Sequence, residues 1–107
     1  MSNQTIVHIY HDEPSQENLT YVASKTFEED ATNFTMLDES FHDTNSHRSP
    51  WVANENIDPA EGVRKVGYCR STMVGDIMNI VKADSTSTWH MVDNIGFKLI
   101  DSPDLVL

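Results

Sequence analysis

A chain of 107 residues, 38% hydrophobic and 22% charged, has room for a single domain over residues 1–107 with one modest core. It contains no apolar run long enough to span a membrane. Asp and Glu number 17 against 7 Lys and Arg, a formal net charge of −10, and that sign repels nucleic-acid phosphates, so direct binding to DNA or RNA is not expected.

The excess charge is unevenly placed. Residues 1–61 hold 12 acids and 2 bases, whereas residues 62–107 hold 5 of each. An acidic half of this kind attracts basic surfaces and speeds encounter with them. Solubility alone is the plainer reading of the same charge. Cys69 is the only cysteine, which excludes an internal disulfide and suits a reducing compartment. Residues 1–4 lack the basic and apolar stretches of a secretion signal. A cytoplasmic location is therefore expected.

Residues 5–10, Thr-Ile-Val-His-Ile-Tyr, read as a first strand, ended by the polar, proline-containing residues 11–15. Residues 19–27 read as a second strand, with Leu19, Tyr21, Ala23 and Phe27 on one face and Val22 out of step. A hairpin between the two would place both beside the C-terminal strands. Residues 28–41 read as a helix, because Ala31, Phe34, Leu37 and Phe41 recur at spacings of three and four. Thr26 with Glu29 fits a capping box, and Asp30 is an equally good start. Glu28, Glu29 and Asp30 would favour the helix dipole at that end, while Asp38, Glu39 and Asp43 would oppose it at the other. No Lys or Arg lies between Lys25 and Arg48 to offset the second group. Helix stability does not account for those acids; partner contact or a simply solvated end does.

Residues 42–62 are polar and irregular, a connection long enough to be either a packed loop or a functional one. Trp51 tethers it if buried and anchors a partner if exposed. Asp58-Pro59-Ala60-Glu61 suits one helical turn capped by Asp58. Residues 63–69 read as a short extended piece. Arg70-Ser71-Thr72 then leads to the turn-prone Gly75-Asp76. Ile77, Ile80 and Val81 begin a meander with residues 89–92 and 95–100, separated by turns at 82–87 and 93–94. The apolar tail 105–107 docks or frays. The expected fold is α+β: a small antiparallel sheet, open or partly closed as a barrel, with one amphipathic acidic helix and a long ordered loop.

Few residues suggest chemistry. His8 and His11, with Asp12 and Glu13, or His42 and His47, with Asp43, could each give zinc two ligands. His8 and His11 would point to opposite faces of a strand, and there is no Cys-x-x-Cys or His-Glu-x-x-His pattern. Cys69 is a nucleophile only with a histidine beside it and is otherwise structural. The four dispersed glycines make no phosphate loop. No metal, no cofactor and no enzymatic activity are expected; a small metal-dependent hydrolase built on the histidines and carboxylates is the alternative.

At residues 34–41, at Arg70-Ser71-Thr72-Met73-Val74-Gly75-Asp76-Ile77 and at Gly96-Phe97-Lys98-Leu99-Ile100, the chain resembles a family of small uncharacterised proteins carried by phages, plasmids and other mobile elements. Their pattern is a short first strand, an acidic helix with a Phe, a Trp-containing loop, an Arg-Ser-x-Ser-Val-Gly-Asp-Val-like motif and a closing Gly-Phe-x-x-Ile. Met73 departs from the small hydroxyl residue more usual before Val-Gly-Asp. The resemblance implies a mobile-element or viral origin and brings no activity to these residues.

Together, charge and resemblance lead to an expected function: an interaction protein that occupies a basic, nucleic-acid-binding surface of a host defence complex and inhibits it. It would be anti-CRISPR-like, with carboxylates in place of phosphates. The candidate contact residues are Glu28, Glu29, Asp30, Asp38, Glu39, Asp43, Trp51, Asp58 and Glu61. A regulatory module whose acidity serves only solubility is the remaining alternative.

Overall fold

The computed structural model describes residues 4–12, 19–28, 31–45 and 50–102. Along residues 5–11, Thr5, Val7, Ile9 and His11 are buried, while Ile6, His8 and Tyr10 are more open. That period of two belongs to a strand packed on one face, and it forms β1 (Thr5–His11). β2 (Thr20–Phe27) runs antiparallel to it. Ile9 stands opposite Ala23 and Tyr10 opposite Tyr21, so Val22 has no partner across the pair. Val22 is out of step in the sequence because it is the extra residue of a β-bulge. The bulge lets Val22 and Ala23 both enter the core.

β3 (Asp58–Pro59) adds two residues to the outer side of β2. β4 (Ile77–Val81), β5 (Ser87–Val92) and β6 (Phe97–Ile100) form the expected meander. The other side of β4 pairs with β1, Val7 facing Ile80 and Ile9 facing Met78. The six strands therefore lie in the order β3-β2-β1-β4-β5-β6. β3 and β6 are the two edges and do not meet, so the sheet is open rather than a barrel. Of the first two strands, only β1 borders the meander.

The main helix is shorter than the apolar spacing suggests. α1 (Asn33–Asp43) starts five residues after Glu28 and is capped by Thr32, whose hydroxyl accepts from the Thr35 amide at 3.2 Å. Thr26 cannot cap it, because β2 continues to Phe27. Its first turn carries no acid, so the expected dipole contribution of residues 28–30 does not arise within the helix. The face it buries is Met36, Leu37 and Ser40; Phe34 and Phe41 flank that face instead of forming its centre. Residues 63–69 are not extended: α2 (Glu61–Val66) occupies most of them and ends at Gly67, φ +79°. Asp58 belongs to β3 and caps no helix; the N-cap position is Ala60.

The core lies between α1 and one face of the sheet. Val7, Ile9, Ala23, Phe27, Met78 and Ile80 come from the strands, and Trp51 and Ile57 from the long connection. Among the described residues no helix is long and apolar enough to cross a membrane.

Two glycines should respond in opposite ways. Gly75 has φ +97° with open space around it, so Gly75→Ala costs about 1–2 kcal/mol of backbone strain without a clash. Gly62 lies in α2, also with open space, and Gly62→Ala should add up to about 1 kcal/mol of helix stability. Urea midpoints that move in opposite directions would confirm the assignment.

Candidate functional site

The loop between α2 and β4, residues 67–76, is hydrogen-bonded to the end of β1, the end of α1, Trp51 and β5. Asp76 is buried at its end. The Arg70 guanidinium donates to both carboxylate oxygens, Nη1 to Oδ2 at 2.7 Å and Nη2 to Oδ1 at 2.9 Å. The Met73 amide donates to Oδ2 at 2.8 Å, and the Asp12 amide to Oδ1 at 2.9 Å. Burial alone would raise the Asp76 pKa. Arg70, the two amides and nearby His11 outweigh it and hold the carboxyl below its ordinary value.

His11 is 0% exposed. Its Nε2 is 2.9 Å from the Thr72 hydroxyl and 3.8 Å from Asp76 Oδ2. Its Nδ1 faces the Cys69 sulfur at 3.6 Å. Thr72 continues to the Thr44 hydroxyl at 2.7 Å, beyond the end of α1. Cys69 thus does have a histidine beside it, but the imidazole is sealed within the fold and held on both sides. His8, as its position in the strand requires, lies on the other face, next to Tyr21. Burial lowers the pKa of His8 and of His90. Among the described residues no three His, Cys, Asp or Glu side chains are grouped to hold a metal ion.

The expected contact acids fall into distinct settings. Glu29 and Asp30 lie outside the described residues. Glu28 is exposed ahead of α1, and Glu39 is exposed on it. Asp38 is half-buried and faces His42 at 3.5 Å, one turn on. Asp43 is engaged internally, 2.8 Å from Lys25. Asp58 pairs with Arg64 at 2.7 Å, and Glu61 with Lys65 at 3.5 Å, both pairs well exposed. Trp51 is 2% exposed and donates from Nε1 to the Arg70 carbonyl at 2.9 Å. It tethers the loop to the core.

A second feature lies beside Asp38. A helix about 10 Å wide cannot cover six strands spaced about 4.8 Å apart, and α1 sits over β1 and β2. Towards β5 and β6 a groove of about 290 Å³ remains. Phe34 and Phe41 of α1 meet Phe97 of β6 edge-on, with centroids 6.2 and 6.4 Å apart, a favoured aromatic geometry. Buried Val92 and exposed Val74 complete the apolar lining, and Asp38 and Asp93 are its acids.

No protein-family model, curated protein or solved structure matches this chain.

The groove is barely signalled in the sequence. Phe34 and Phe41 sit at helix spacing, as core residues do, yet Phe34 is 63% exposed. Gly96-Phe97 and Val74 reveal a shared site only once the meander is folded against α1. The Arg70–Asp76 pair is six residues apart in sequence, and turn chemistry alone accounts for Gly75-Asp76 without it.

The Asp76 carboxyl also sets an acid limit. Its pKa is lower folded than unfolded, so the stability it adds is complete above about 3.9, the unfolded value, and is lost as pH falls further. Asp76→Asn should cost roughly 3 kcal/mol at neutral pH, the low end for breaking a buried pair, since Arg70 keeps partial access to water. The variant should also lose less stability than the parent as pH falls below the ordinary carboxylate value of about 3.9. Urea unfolding at several pH values measures both effects.

Proposed function

We propose that this protein is a non-enzymatic interaction protein. Its acidic side engages a basic, nucleic-acid-binding surface of a partner and competes with nucleic acid for it. The observation that carries this reading is how the charges are paired. Lys25, Arg64, Lys65 and Arg70 each face a carboxylate of the same chain. Among the described residues, Glu28, Glu39, Glu55 and Asp93 make no ion pair. Exposed Lys82 and Lys98 make no ion pair among the described residues either, but the described acids without one outnumber them, so the unpaired surface charge is negative on balance. Such a surface is matched by Lys and Arg arranged for phosphates.

The resemblance to mobile-element proteins supports a partner in a host defence complex, whose nucleic-acid groove supplies a surface of that kind. Inhibition follows from exclusion: basic side chains held by carboxylates are not available to phosphates.

Immobilised protein should retain nucleic-acid-binding proteins from bacterial lysate at roughly 50 mM salt and release them at roughly 200 mM, where contacts of this type weaken strongly. Duplex DNA should displace them, and the double variant Asp38→Lys/Glu39→Lys should retain much less. Retention of nothing, or retention insensitive to DNA and to charge reversal, would sink the proposal.

A further inference from the structure

We infer that the groove between α1 and the β5–β6 turn is a docking site for a basic amphipathic segment of a partner protein. An apolar side chain of that segment sits among Phe34, Phe41 and Phe97, with Lys or Arg beside it paired to Asp38 and Asp93. This deepens the proposed function and rests on its assignment of a basic partner.

The groove has the two components such a segment needs. Its interior is aromatic and already assembled, since Phe97 holds both α1 rings edge-on. A preformed anchor site loses little entropy on binding. Its walls remain in water: Phe34 is 63% exposed and Val74 51%. Ile95, at 94% exposed, extends the apolar surface along the adjoining turn. Large aromatics left accessible in one cluster are the usual anchors of protein recognition.

The acids choose the occupant. Asp38 and Asp93 both line the groove, and carboxylates accept hydrogen bonds without donating any. The complement is an apolar group with cations next to it, the pattern of a basic amphipathic helix laid in a groove. A second copy of this chain fits poorly, because it brings the same acids and a net charge of −10. At about 290 Å³ the space lies below the range of about 300–1,000 Å³ common for small-molecule sites, and it suits one large side chain.

The test uses synthetic peptides and the full chain, read by fluorescence anisotropy. One peptide places Leu at helical i, i+3, i+4, i+7 spacing with Lys between. A second replaces each Leu by Ser, and a third replaces each Lys by Glu. The Leu/Lys peptide should bind at least about tenfold more tightly than the Ser/Lys peptide, and Phe34→Ser should weaken it by a similar factor, as loss of an aromatic anchor does. Phe34 is largely exposed but gives up its edge contact with Phe97, so the variant should stay folded with a melting temperature lowered by only several degrees. Asp38→Asn/Asp93→Asn should weaken binding at low salt more than at high salt, and the Leu/Glu peptide should not bind. Equal binding of the Leu/Lys and Ser/Lys peptides would overturn the groove assignment while leaving charge-driven partner binding intact. Failure of both basic peptides, alongside lysate retention that depends on Asp38 and Glu39, would also defeat the groove alone. Failure of both experiments would defeat the proposed function with it. A dimer in sedimentation that Phe34→Ser dissociates would give the groove to a second copy and overturn the basic segment as its occupant.

Discussion

Four donors converge on the two oxygens of Asp76: both arms of the Arg70 fork and the amides of Met73 and Asp12. A carboxylate offers about four acceptor positions, so this one is saturated, which is the condition for burying a charge in a small protein. The rest of the fold is tied to that point. Asp12 follows β1, Thr72 joins the loop to Thr44 at the end of α1, and Trp51 donates to the Arg70 carbonyl. Gly75 and Asp76 continue the pairing with Val92 of β5, at 2.8 Å in both directions. One short motif thus holds both halves of the sheet, the helix and the long connection.

The same loop reaches outward. Between Arg70 and Asp76, which face inward, Met73 and Val74 project into solvent, and Val74 lines the groove together with Phe34. A wall fixed by a saturated ion pair holds its shape without a partner. In the proposed reading the two surface properties act at different ranges. Negative charge draws a basic surface from a distance, and the aromatic groove discriminates among the surfaces that arrive. That division explains how a shallow aromatic groove could still be selective.

Much of the fold is legible in the residues. β1, β4, β5 and β6 follow from short runs rich in β-branched or aromatic side chains between turn residues. Val22 breaks the alternation because of a bulge, which no local pattern distinguishes from noise. The start of α1 is misplaced by Thr26 and Glu29, a good cap in isolation, because pairing with β1 keeps residues 20–27 extended. Val63, Val66 and Tyr68 suggest strand by composition, but Glu61 with Lys65 at helical spacing and Gly67 as terminator are legible helix signals. The candidate site is less legible. The acids are visible, yet whether Asp43 is spent on Lys25 or left to a partner depends on contacts between distant segments.

The position of β1 has a consequence for biosynthesis. β1, made before either of its partners, is central: Val7 pairs with Lys25 on one side and with Ile80 on the other. The first partner follows within a hairpin, and the second is the length of most of the chain away. At about 5–20 residues per second, the nascent hairpin waits several seconds with one edge of β1 unpaired and Val7 and Ile9 lacking their β4 neighbours. That interval closes only when the loop bearing Arg70 and Asp76 delivers β4 to its place.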